Sequence, residues 1–239
     1  MISIRTFLSG LIAWTVLFVS CDDGRIPEKD INISEKGRVV KLVGDISGLD
    51  NWPLKYRITI AGFNSASNYA ETSARIMPPS DGKHVEVIMG GIADDVETLE
   101  LCAIDAMSTR IMTFESMEAP ATTDTIVFDV GTLDLSMFAV IQDHLFTPTC
   151  ANCHGGGSGN PAGNLNLMPG KSYVSLVDEA SHKLPDVKRV QPGNAEESLL
   201  YQVVMEQHEG WGYNHYGLLT QTPVLRTIIK DWIDGGASR

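Results

Sequence analysis

Cysteine is scarce in this chain, at four of 239 residues, yet two of the four lie three positions apart and a histidine follows the second at once. With six histidines available, chance would produce a C-x-x-C-H roughly once in a thousand such chains, so the stretch Cys150-Ala151-Asn152-Cys153-His154 calls for a chemical reason. Positive charge is scarce too. Against 30 Asp and Glu there are 18 Lys and Arg, a formal charge of −12, which excludes nucleic acid as a partner because a phosphate backbone must be met by a surplus of cations. The apolar run near the N-terminus, Leu8 to Val19, is too short to cross a membrane comfortably. What the chain does have is 43% hydrophobic content, enough for a globular protein of two modest domains.

The acidity is uneven. Residues 22–135 carry 20 acidic and 10 basic side chains, whereas residues 136–239 carry 10 and 7, which points to two domains with different surfaces. The first 20 residues read as an export signal, with Arg5 ahead of the apolar run. Phe18-Val19-Ser20-Cys21 resembles a bacterial lipobox, although phenylalanine stands where leucine is usual. That resemblance implies lipidation of Cys21, a membrane tether over residues 21–36, and an address in the bacterial cell envelope, periplasmic or at the cell surface. The alternative is an ordinary signal peptide with an incidental cysteine.

Residues 37–134 alternate with period two. Seven stretches rich in Val, Ile, Leu and Thr, at 38–46, 55–63, 73–77, 84–89, 97–104, 109–114 and 125–130, predict strands separated by turn signals such as Gly90-Gly91. Seven short strands in about one hundred residues predict an immunoglobulin-like β-sandwich. Cys102, flanked by apolar residues, reads as a buried unpaired thiol. Asp94-Asp95 lacks the further oxygen ligands that calcium requires.

After Gly131 the period becomes helical, and residues 135–239 read as a small all-α domain, making the whole chain α+β. Ser136 caps a helix over 137–146, which Pro148 should interrupt or bend just before the cysteines. Asn194 and Glu197 have the form of a capping box ahead of the stripe Leu199, Leu200, Val203 and Val204. Thr222 as cap, Pro223 at the first helical position and Gly235 at the end frame a last helix with an apolar stripe from Val224 to Ile233. That last helix should pack on 137–146 and wall a ligand pocket.

Four chemistries compete for Cys150, Cys153 and His154. A thioredoxin-like pair needs a βαβ setting, a structural zinc site needs a fourth ligand, and a disulfide across two residues staples almost nothing. Covalent attachment of a c-type haem uses all three residues, each cysteine adding to a vinyl group and His154 binding the iron.

Residues 138–236 also resemble the monohaem cytochrome c domains of exported bacterial proteins. The resemblance rests on Cys150–Gly155, on Ala162-Gly163-Asn164-Leu165-Asn166-Leu167, on Gln191-Pro192-Gly193-Asn194, on Ser198-Leu199-Leu200-Tyr201 and on Asp231-Trp232-Ile233-Asp234-Gly235-Gly236-Ala237. It implies a second iron ligand, usually methionine, in the loop before the last helix. Residues 210–220 hold no methionine; His215 stands near that place, which suggests His154/His215 ligation, with Met205 and His208 next. Met168 comes soon after His154, and His144 and His182 read as ordinary surface or interhelical residues. The expected function is single-electron transfer between redox partner proteins outside the cytoplasm, rather than catalysis. The alternatives are a haem with an open distal site for peroxidase or small-ligand chemistry, and a surface interaction lipoprotein with structural cysteines.

Overall fold

In the computed structural model the described residues are 37–79, 84–155, 157 and 159–239. The expected export signal, the lipidated Cys21 and the tether lie outside them. The protein is α+β, with sheets in the N-terminal part and short helices after them.

Each of the seven predicted stretches holds a strand: β1 (Arg38–Ser47), β2 (Arg57–Phe63), β3 (Thr72–Arg75), β4 (His84–Ile92), β5 (Thr98–Ile104), β6 (Arg110–Glu118) and β7 (Ile126–Asp134). They form a three-stranded sheet in the order β4-β1-β7 and a four-stranded sheet in the order β3-β2-β5-β6. The second sheet is antiparallel throughout, whereas β1 pairs antiparallel with β4 and parallel with β7. Alternation along β1 buries Val40, Leu42 and Ile46 in one apolar core with Ile58 and Ile60 of β2 and Leu99 and Leu101 of β5. The central strands β2 and β5 are buried on their other face too, where Ala61, Phe63, Cys102 and Ile104 cluster. Cys102 is free and fully buried, and burial pushes its thiol up to about 12. Arg38 is buried without a carboxylate; its guanidinium donates to the carbonyls of Ala93, Val96, Ala119 and Pro120, tying two loops to the start of β1.

The helices are α1 (Met137–Ile141), α2 (Ala151–His154), α3 (Ser172–Leu176), α4 (Leu199–Met205) and α5 (Pro223–Asp234). Ser136 caps α1, its hydroxyl accepting from the Ala139 N–H at 3.3 Å. Of the expected interruption or bend at Pro148, the interruption does not occur. From Gln142 to Cys150 the helix widens into a π-helix and runs straight into α2. Proline in an α-helix clashes with the carbonyl four residues back; the wider register, seen where Ala151 N–H bonds to Phe146 O, displaces that carbonyl and lets the chain pass.

The last helix keeps its predicted span and buries Leu225, Ile228, Ile229, Trp232 and Ile233, with Trp232 5.3 Å from Phe138 of α1. Thr222 makes no side-chain cap. The other helix begins later than expected, at Leu199, because residues 191–194 close a turn instead: Asn194 N–H bonds to Gln191 O at 3.0 Å and Gly193 takes φ +82°, a conformation open to glycine. The described residues form one compact unit, and the apolar core runs from the sheets through α1 and α5. Trp52 donates to Leu135 O at 2.6 Å across this junction, while Lys55 and Tyr56 meet Asp231 of α5.

Candidate functional site

The π-helix ends on Cys150, and the following turn presents Cys153 and His154, so all three residues border one cavity of about 380 Å³. That volume falls in the range of roughly 300–1,000 Å³ usual for small-molecule and cofactor sites. Its walls are apolar. Leu199, Leu200, Val203 and Val204, the stripe of α4, form one side, and Leu145, Leu165, Leu167, Leu176 and Leu219 contribute to the rest. No residue of α5 lines the cavity, which corrects the expectation that the last helix walls it. That helix spends its stripe on α1 and the core instead.

His154 has a fixed orientation. Its Nδ1 lies 2.9 Å from Ala162 O, and since a carbonyl only accepts, Nδ1 carries the hydrogen, which in the neutral ring leaves the lone pair on Nε2. This is the arrangement by which an outer partner sets the tautomer of a metal-binding histidine. Ala162 belongs to a tight turn, Ala162–Asn164, with Gly163 at φ +60°. The strand-like segment beyond it returns to the helix through Leu167 N–H, which donates to His154 O at 2.7 Å.

His215 borders the same cavity from the loop before α5, half-buried, with its ring centre 6.2 Å from that of His154 and the planes 34° apart. Two imidazoles sharing one metal ion, at about 2.0–2.1 Å from each nitrogen, have their ring centres about 6 Å apart. Burial, with smaller contributions from His154 and His208, holds His215 below the ordinary imidazole range, so it is neutral and ligand-competent at neutral pH. Met205, His208 and Met168 do not line the cavity: Met205 is exposed, His208 stacks on Trp211 at 4.7 Å, and the Met168 sulfur lies over Gly155. His182 does border the cavity, with Lys183 and Arg189, three residues that the spacing of motifs does not single out.

Cys150 and Cys153 are free thiols, Cys150 half-buried and Cys153 exposed. Burial, and then the neighbouring Cys153, pushes Cys150 up to about 12, so it is a protonated thiol rather than a thiolate ligand. Among the described residues no group of three or more His, Cys, Asp or Glu is gathered that could hold a metal ion, so the set at this cavity is not an all-protein zinc centre. The lining brings together two imidazoles 6.2 Å apart, two thiols and mostly apolar walls, a set that could hold a group bringing most of its own metal ligands.

No protein-family model matches the chain, and neither a curated protein nor a solved structure matches it. With no family model and no gathered metal-binding group, the resemblance to the monohaem cytochrome c domain of an exported lipoprotein is corrected: the chain is not assigned to that family. The physical reason is that a few short helices on a mostly β N-terminal part share only local motifs with it.

Proposed function

We propose that this cavity holds a single haem, attached through Cys150 and Cys153 and ligated by His154 and His215, and that the protein passes single electrons. The observation that carries this reading is the 6.2 Å approach of His154 and His215 across an apolar cavity whose rim bears both thiols. Each thiol would add across a vinyl group, sulfur bonding to one carbon and the thiol hydrogen going to the other, which needs no oxidant. Bound haem supplies a one-electron couple. His154 is oriented by Ala162 O, the leucine and valine side chains exclude water, and Lys183 and Arg189 bring positive charge to a lining that would meet the carboxylates of a tetrapyrrole. His154 and His215 would both hold the group, and no substrate pocket, general acid or general base would then be required, so the role is electron transfer rather than catalysis. Redox proteins are the partners. The two sheets, arranged as an immunoglobulin-like sandwich, serve as spacer or docking module, and lipidation of Cys21 anchors the molecule at a membrane of the bacterial envelope, outside the cytoplasm.

The test is expression with export in a host able to attach haem, followed by absorption spectra of the wild type and His215→Ala in both oxidation states. The expected result is a covalent low-spin spectrum that turns high-spin in the variant. An unchanged spectrum removes His215 as a ligand, and a wild type without covalent haem overturns the reading.

A further inference from the structure

The cavity is lined by an arginine whose charge, among the described residues, is met not by a carboxylate but by main chain. Arg189 Nη1 donates to Ser175 O at 2.7 Å, and Nη2 donates to Gly163 O and Asn164 O at 3.3 and 3.2 Å. Gly163 and Asn164 are the two residues after Ala162, whose carbonyl accepts from His154 Nδ1. Both have left-handed backbone, at φ +60° and +52°, a conformation that glycine and asparagine adopt readily, so what Arg189 adds is a bond from the turn to α3 rather than relief of strain. The turn's main-chain bonds include Asn164 N–H to Pro161 O and Leu165 N–H to Ala162 O. Arg189 is itself anchored: its N–H bonds to Glu179 O, its carbonyl accepts from Leu200 N–H of α4, and the next residue, Val190, is fully buried. The guanidinium thus carries the rigidity of α3 and α4 to the exposed turn that orients His154.

We infer that Arg189 is a positioning residue for His154, fixing Ala162 O and through it the tautomer of the imidazole; its bearing on bound haem rests on the function proposed above. A carbonyl held against Nδ1–H keeps Nε2 free and raises its basicity as a ligand. A planar five-donor fork is needed to span three carbonyls, and lysine, a point charge, cannot reproduce it.

The test begins without any cofactor. Long-range proton–nitrogen correlations of the ¹⁵N-labelled protein at about pH 8.5, where an ordinary imidazole is neutral, report which nitrogen of His154 carries the hydrogen. The wild type is expected to show Nδ1–H, and Arg189→Ala and Arg189→Lys a mixture of both tautomers, with the methyl signals of Ile228 and Ile229 unmoved. Arg189→Lys keeps the charge and serves if Arg189→Ala does not fold. Retention of the wild-type tautomer in the folded variants overturns the inference. In the haem-loaded protein Arg189→Lys, which keeps the positive charge at the cavity, should raise the reduction potential, as a less basic imidazole would stabilise oxidised iron less. The absence of covalent haem from the wild type would defeat the proposed function while the tautomer measurement still decides the role of Arg189.

Discussion

The bond between Tyr56 and Asp231 joins the sheets to the last helix, and its worth can be worked from its surroundings. Tyr56 OH donates to Asp231 Oδ2 at 2.8 Å, and Lys55 Nζ reaches the same carboxylate at 2.8 Å. Tyr56 is 6% exposed, so its hydroxyl has little water to fall back on, whereas the Lys55 side chain is 52% exposed. A hydrogen bond to a charged group contributes about 1.5–3 kcal/mol, and an ion pair with one solvated partner contributes at the lower end of about 0–1 kcal/mol. Tyr56→Phe keeps the ring against Trp52 and should cost about 1.5–2 kcal/mol; Asp231→Ala leaves the hydroxyl unpaired and should cost about 2–3 kcal/mol. For a unit of this size 1 kcal/mol moves Tm by about 2–4 °C, so the variants should melt roughly 3–12 °C lower. Together they should cost at least about 1 kcal/mol less than the sum of the two. There is an alkaline signature as well. Burial first, and then the hydrogen bond and charge of Asp231, raise Tyr56 above the ordinary phenol value of about 10. The unfolded chain therefore loses this proton first, and the contribution, fully present below about pH 10, is lost as pH rises above it. Tyr56→Phe should remove that part of the slope. Urea titrations of the four proteins at neutral and alkaline pH measure both effects; costs that add to within about 0.5 kcal/mol would refute the coupling.

Gly48→Ala should destabilise by about 2–5 kcal/mol in denaturant unfolding, because Gly48 has φ +76° and an added Cβ would lie 2.1 Å from the Ser136 nitrogen that opens α1. In the native protein a thiol reagent should modify Cys153 first and Cys150 slowly, and should reach Cys102 only on unfolding, as peptide mass mapping would show. Asp105 accepts from Thr109 and Met107 N–H at 2.8 Å, and the Thr109 bond, opposed by slight burial, is the largest cause holding it below the usual carboxylate range. Its stabilisation is present above about pH 3.9 and lost as pH falls through its lowered value, so Asp105→Asn should flatten the acid limb of a stability profile.

The strands were legible because period two is a local property: alternation in Arg38–Ser47 buries the same side chains that a reader of the sequence would choose. The burial of Cys102 and the cavity-facing stripe of α4 follow from the same kind of pattern. The π-helix was not legible, since Pro148 predicts a break and only the chain's continuation into α2 shows how the ring is accommodated. Nor were Arg38 and Arg189, whose partners are carbonyls far along the chain and leave no trace in composition or spacing.

The motifs that suggested a family have a plainer account in hydrogen bonds. Gly193 N–H of the Pro-Gly-Asn turn donates to Ile233 O at 2.8 Å, Ala195 N–H donates to Asp234 Oδ1 at 2.8 Å, and Trp232 Nε1 donates to Ser238 O at 2.7 Å. The first two bonds lock the turn ahead of α4 onto the end of α5, the third folds the residues after α5 back on it, and Asp231 locks that helix to the sheets. Any small helical unit closing in this way needs a glycine that can turn, a carboxylate that can accept and an indole that can cover, so their order along the chain reports packing. What packing leaves unexplained is a pair of thiols that are free among the described residues, and two imidazoles 6.2 Å apart on the lining of one largely apolar cavity, one of them tethered through Nδ1.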